Sequence, residues 1–375
     1  MKNILNKYRA KYISSLYNLI LSLWLLFNYS CETPIQTNGN SRPVNDEMIV
    51  CRNHGNKLTY VNQYTFELIK SVSINIPDSL QIHSKCLSTN KDYLICIGSP
   101  DTPPFRSYIM VYDITNDSVT SIFPTGLDSV GAPRLTAANI LEEPGLIYLS
   151  SHEVGLYYIN FLKKNISQIS SELEVDKEFF HSPDKKNLAI LKTIFRVSEP
   201  GYSETEIYNT SSRLKNIELI LNENNIDGIQ IIDLKFSENN KIIYISFRDP
   251  EKRGVEKYFG SYNLETKQLY KSFLTFPWSV NPNYIAYSSK RKEVYLVGRE
   301  DKFYVIDIST KDYKIKEIVD LPGKVPSPSR ILVRDDQNIA FVSCVYSDLV
   351  FSVDLENKNI LKTIEIEKPY WMFPL

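Results

Sequence analysis

The sequence predicts an all-β fold, a seven-bladed β-propeller of four-stranded antiparallel blades whose first blade is closed by the last strand of the chain. Three observations predict it. Short apolar runs alternate with polar turns in groups of four, most clearly at residues 330–333, 339–345, 349–353 and 360–366, the pattern of a four-stranded meander. An aromatic or aliphatic pair followed by Asp or Asn recurs seven times, at Asn62, Asp113, Asn160, Asn209, Asn263, Asp307 and Asp354, with 44 to 54 residues between successive markers. A repeat of that length carrying four strands is a propeller blade. Finally, residues 48–51 open the first unit with what reads as a second strand, and residues 369–374 read as a first strand with no unit after it. Pairing the two would cover both orphan edges.

Composition agrees with this class. Over 375 residues, 43% hydrophobic and 23% charged, there are 25 Tyr and 17 Phe against 13 Gly, a β-favouring balance in a chain long enough to bury a large core. Residues 1–30 contain Lys2, Lys7, Arg9 and Lys11 but no acid, followed by an apolar run up to Phe27, the charged and apolar regions of an export signal. The run ends at Ser30-Cys31. A small residue directly before Cys resembles a bacterial lipoprotein signal, which implies that Cys31 becomes the lipidated first residue of the mature chain. An uncleaved anchor and ordinary cleavage are the alternatives, because the run approaches the ~18 residues that a span requires. All three place the body outside the cytoplasm. Removing residues 1–30 takes away four of the 43 Lys and Arg and none of the 44 Asp and Glu, so the mature body is mildly acidic and gives no reason to expect nucleic acid. Residues 31–46 are polar with Pro and Gly and read as a flexible tether. Residues 47–375 form the expected propeller.

Each recurrent mark has a physical role. The repeated Asp or Asn accepts the backbone N–H two residues on and sets up the hairpin after the third strand. An earlier polar turn, as at residues 88–91, 237–240 and 334–337, joins the first strand to the second. Pro77, Pro124, Pro277, Pro322 and Pro369 stand after the last strand, where a residue without an N–H ends the ladder. Cys51, Cys96 and Cys344 close apolar runs and read as small buried hydrophobes. Cys86 and Cys96 lie on neighbouring strands and are a candidate pair.

With the turn, the Tyr-Val or Phe-Val strand, the Val-Asp hairpin and the Pro that starts the next strand, residues 327–369 resemble the YVTN-type β-propeller repeat. The other units share the skeleton. Together with Cys31 and the Ile/Asn/Lys-rich composition, the chain is also similar to exported propeller lipoproteins of the Bacteroidetes. The resemblance implies a monomeric cell-envelope protein held to the membrane by a lipid.

Catalytic motifs are absent. The chain has four His, at positions 54, 83, 152 and 181, with no His-Glu-x-x-His, no Cys-x-x-Cys, no glycine-rich phosphate loop and no calcium-loop spacing, so no catalytic residue, metal or cofactor is expected. The long segments, residues 99–106, 125–134, 195–205, 247–257 and 323–330, all fall on one face of a propeller, where recognition is usually placed. First strands line the central channel, and the residues at or just before their N-terminal ends sit near its mouth: His83, Arg134, Glu178, Asp233, Tyr284, Arg330 and Trp371. Such a rim suits an anionic or sugar-like group. The structural alternative is that Arg134 and Arg330 pair with Glu178 and Asp233. Three functions stay open: a binding or scaffold module for an envelope protein, peptide or glycan, which is favoured; a lactonase-like or glycan-cleaving hydrolase in the channel; and a redox-cofactor propeller.

Overall fold

The computed structural model describes residues 46–52, 55–77, 80–88, 91–100, 105–129, 135–139, 146–151, 155–160, 163–170, 179–184, 187–194, 202–209, 214–219, 230–248, 256–277, 284–298, 301–322 and 328–375. The export signal, Cys31, the tether apart from Asp46, Arg134 and Glu178 lie outside them. The five long segments lie outside them wholly or in part.

The described residues form seven four-stranded antiparallel sheets, numbered here in chain order. Their innermost strands are Pro369–Pro374, Leu80–Leu87, Leu135–Asn139, Phe179–His181, Gln230–Phe236, Tyr284–Ser288 and Pro328–Arg334. From Leu80–Leu87 onward to Pro369–Pro374, each innermost strand lies against the next. The architecture is a β-propeller. In sheet 7 the strands are Pro328–Arg334, Ile339–Cys344, Leu349–Asp354 and Asn359–Glu365, within a residue or two of the apolar runs.

Burial explains why the runs are apolar. Second strands are enclosed on both faces by neighbouring sheets, and Glu293–Val297 is buried at every position. Fourth strands meet solvent: in Asn359–Glu365 only Ile360 and Ile364 are half-buried and the rest are exposed. Successive side chains of a strand point to opposite faces. Thus Met48 and Val50 of Glu47–Arg52 pack with Phe341 and Val350 of sheet 7, while Ile49 and Cys51 pack with Leu94, Cys96 and Met110 of sheet 2.

Sheet 1 is completed by Pro369–Pro374, which pairs antiparallel with Glu47–Arg52, placing Phe373 opposite Ile49 and Trp371 opposite Cys51. The Leu375 N–H donates to the Glu47 carbonyl at 2.8 Å. The expected terminal closure is therefore present.

The repeated Asp or Asn caps its hairpin as the turn chemistry requires. Asn62 accepts from the N–H of Tyr64 and Thr65, Asn263 from Glu265 and Thr266, Asp307 from Ser309, and Asp354 from Glu356 and Asn357. Four residues after the marker, Phe66, Asp117, Lys164, Lys267 and Lys358 have positive φ, between 48° and 55°. In three sheets this side chain reaches back to the preceding one. Phe66 stacks on Phe341 of sheet 7 at 5.4 Å. Asp117 pairs with Lys70 of sheet 1 and accepts from the hydroxyls of Tyr60 and Tyr112 at 3.1 and 3.0 Å. Lys358 donates to Glu293 of sheet 6 at 2.7 Å, and Glu293 also takes Lys316 at 2.6 Å and the Tyr295 hydroxyl at 2.7 Å. Burial alone would raise both carboxyls, but these donors outweigh it and hold Asp117 and Glu293 below their ordinary values.

Two details differ from expectation. Pro124 does not end its strand but lies within Ser118–Ser129, opposite Tyr108. This strand is the outermost of sheet 2, an edge position where a residue without an N–H is tolerated. Cys86 and Cys96 do not pair: both are free and buried, and Cys96 stands opposite Lys85. Burial pushes the Cys51 and Cys96 thiols up to about 12, which keeps them protonated and unreactive.

Candidate functional site at the channel mouth

The innermost strands deliver their side chains in a common register. In sheet 7, Arg330 stands opposite Ser343, four residues after Ile339, the partner of the marker Asp354. The same register holds Tyr284 opposite Val297, Asp233 opposite Ser246 and Trp371 opposite Cys51. In sheet 2 this place belongs to Ser84, opposite Ile97. His83 precedes it, at a register shift in the innermost strand. Sheets 1, 5 and 7 carry the same one-residue shift, at Tyr370, Ile232 and Ser329. Such a bulge re-aims the side chains around it. In sheet 3 the corresponding residue is Thr136, opposite Ser150.

Three of the residues expected at the rim come together around one cation. The Arg330 guanidinium lies 4.5 Å from the ring centre of Tyr284 in sheet 6 and 4.6 Å from that of Trp371 in sheet 1. A third ring, Tyr370, lies at 4.8 Å. Tyr370 meets Trp371 edge to face at 5.0 Å, and Trp371 stacks on Phe373 at 6.2 Å. The Ser343 hydroxyl holds the bulge by donating to the Tyr370 carbonyl at 3.2 Å. All four members of the cluster, Arg330, Tyr284, Tyr370 and Trp371, are half-buried, so solvent reaches them. Each ring attracts the cation by about 0.5 to 2 kcal/mol. A guanidinium can meet aromatic rings through its faces and a carboxylate through its in-plane N–H edge.

Asp233 has a different task. It is buried, and its carboxylate accepts the Leu234 N–H at 2.8 Å and the Ile285 N–H of sheet 6 at 2.6 Å, tying sheets 5 and 6 together. Two residues on, on the same face of the strand, stands Lys235, exposed to solvent at its tip but partly enclosed. That enclosure lowers its ammonium pKa; Asp233 opposes the shift and Arg330 adds to it, which places all three in one electrostatic neighbourhood. His83 shares a hydrogen bond of 2.7 Å with the Ser99 hydroxyl. Tyr370 and Lys235 escaped the sequence reading, Tyr370 because the bulge alone turns it toward Arg330. Among the described residues no group of three His, Cys, Asp or Glu side chains lies close enough to hold a metal ion.

Solved structures share this architecture. A hypothetical selenium-binding protein from Sulfolobus tokodaii superposes with a TM-score of 0.62 at 12% identity, over 88% of this chain and 93% of the other. Hydrazine synthase from Kuenenia stuttgartiensis gives 0.57 at 13% identity, over 84% and 90%. A β-propeller domain from Myceliophteria thermophila gives 0.53 at 10% identity, over 81% and 91%. At these identities the likeness shows the fold. The chain is an all-β propeller. No family model matches it, and no curated protein matches it in sequence. The propeller scaffold serves binding proteins and enzymes alike, so function has to come from the side chains at the mouth.

Proposed function

We propose that this protein is an exported, lipid-anchored binding module, its seven sheets the blades of one closed ring of the YVTN type. It recognises an anionic group on an envelope protein, peptide or glycan at the mouth of its channel. The reading rests on Arg330, a half-buried guanidinium held by three rings from neighbouring sheets. With its rotamer restricted by the rings, little further order is lost when its edge takes a carboxylate. Lys235 lies in the same neighbourhood, its ammonium pKa lowered by burial, and the carboxylate of Asp233 is engaged by two backbone N–H groups. That engagement also makes Asp233 a poor general acid or base, which favours binding over hydrolysis in the channel.

The test uses immobilised glycans and peptides in carboxylated and neutral forms, probed with the wild type and Arg330→Gln. Retention of the carboxylated forms alone, reduced roughly 10- to 100-fold by the substitution, is the expected outcome, since a hydrogen bond to a charged group contributes about 1.5–3 kcal/mol. An Arg330→Gln protein that melts far below the wild type yet retains every partner undiminished would show Arg330 to be a bridge between sheets and nothing more.

A further inference from the structure

At the seam between sheets 1 and 7, Val50 and Val61 pack with Phe341, Val350 and Ile366. Beside this contact a cavity of about 80 Å³ remains, room for about five water molecules. Sheet 1 forms one wall, with Lys57 and Thr59 of Lys57–Asn62 and Leu68 and Ser71 of Leu68–Ser73, and Glu365 to Glu367 at the end of the outermost strand of sheet 7 form the other. Hydrogen bonds fix the backbone of both walls. The Ile366 N–H donates to the Asp348 carbonyl at 2.8 Å and the Lys368 N–H to the Asp348 carboxylate at 2.7 Å, while the Arg52 carbonyl accepts from Lys85 Nζ at 2.8 Å. The cavity is therefore preformed.

Its charges are only half neutralised. Arg52 and Glu367 pair with each other at 2.7 Å. Lys57 and Glu365, exposed and on opposite walls, pair neither with each other nor with any other side chain among the described residues. One wall thus offers an uncompensated ammonium and the other an uncompensated carboxylate. Between them Thr59 stands opposite Ser71, their hydroxyl oxygens 3.4 Å apart. The remaining lining is apolar: Val50, Ile366 and Leu68, the last with 55% of its surface open to solvent.

We infer that this cavity binds a free α-amino acid with an aliphatic side chain, its carboxylate toward Lys57 and the Thr59 and Ser71 hydroxyls, its ammonium toward Glu365 and its side chain on Leu68. The site shares no residue with the cluster around Arg330 and does not depend on the channel-mouth reading. Charge decides the class. An anion alone would leave Glu365 uncompensated and face its repulsion, a cation alone would do the same with Lys57, and a neutral sugar would satisfy neither. A dipolar molecule answers both walls at once, and its size matches a cavity that holds a few non-hydrogen atoms rather than a chain.

The experiment is calorimetric titration of the full-length protein with L-leucine, N-acetyl-L-leucine, L-leucinamide and glycine, for the wild type, Lys57→Gln and Glu365→Gln. Both substituted side chains are exposed, and thermal melting confirms that the fold is retained. The wild type should bind leucine, and should bind the acetylated form, which lacks the ammonium, and the amide, which lacks the carboxylate, at least tenfold more weakly, the contribution of one charge-assisted contact. Glycine, without an apolar side chain, should also bind more weakly. Each substitution should weaken leucine at least tenfold, yet Glu365→Gln should cost the acetylated form nothing further and Lys57→Gln should cost the amide nothing further. Leucine binding unchanged in both variants overturns the site. Equal binding of leucine and either blocked form overturns the dipolar recognition, equal binding of glycine overturns the aliphatic assignment, and no binding of leucine to the wild type overturns the inference as a whole.

Discussion

Deleting residues 369–375 tests the closure of sheet 1 most directly. The strand locks two seams at once. Met372 packs with Met48, Val50, Phe341 and Ile366 at the seam with sheet 7. Trp371, Phe373 and Leu375 pack with the cluster that joins sheets 1 and 2. Met372 and Leu375 are almost wholly buried, at 9% and 3% exposure, and a buried aliphatic side chain contributes about 1.5–3 kcal/mol. Trp371 and Phe373 are half-buried, so each supplies roughly half of the 3–5 kcal/mol lost when a fully buried aromatic is truncated. Together these are of order 6 to 11 kcal/mol, comparable with a typical total stability of about 5–15 kcal/mol. The deletion also bares the ladder edge of Glu47–Arg52, a site for aggregation. The truncated protein should be unfolded or insoluble, and a synthetic peptide of residues 369–375 should restore folded, soluble protein in a concentration-dependent way. Urea unfolding followed by Trp fluorescence reads both effects. A soluble truncation with the wild-type midpoint would refute the closure.

Two further outcomes follow from the structure and the proposal. Glu293→Gln leaves Lys358 buried without its anion and should cost roughly 3–5 kcal/mol at pH 7; Lys316, half exposed, adds little. Because the folded carboxyl lies below its ordinary value of 4.5, its contribution is present above that pH and disappears as pH falls through the folded pKa, so the gap between urea midpoints of variant and wild type should shrink from pH 7 to pH 3. A gap that stays constant would count against the ion pair. For the anchor, a palmitate analogue fed to cells should label the wild type and not Cys31→Ala, and equal labelling of both would sink the proposed lipidation.

What the sequence made legible is what local chemistry encodes. Asn62, Asn263 and Asp354 announce their hairpins because a side-chain oxygen that satisfies nearby N–H groups acts over two or three residues. The closing strand was visible because an apolar run with no partner must find one. The rim was harder. Tyr284, Arg330 and Trp371 were placed in register by counting from the repeat, but counting put His83 one residue short of Ser84, which holds that register in sheet 2. The latch position four residues after each marker went unread for a similar reason. Phe66, Asp117 and Lys358 share a positive φ and a direction but no chemistry, and only the direction is conserved by the geometry. A search for side chains at that fixed offset would have found them.

The rings around Arg330 come from residues far apart in synthesis. Tyr370 and Trp371 follow Arg330 by about 40 positions, and they reach the guanidinium only when their strand folds back onto Glu47–Arg52, laid down more than 300 positions earlier. A chain still being made, or one that has stalled before its last strand, holds Arg330 without two of its three rings. The ring cluster at Arg330 is therefore complete only in molecules whose last strand has paired with Glu47–Arg52.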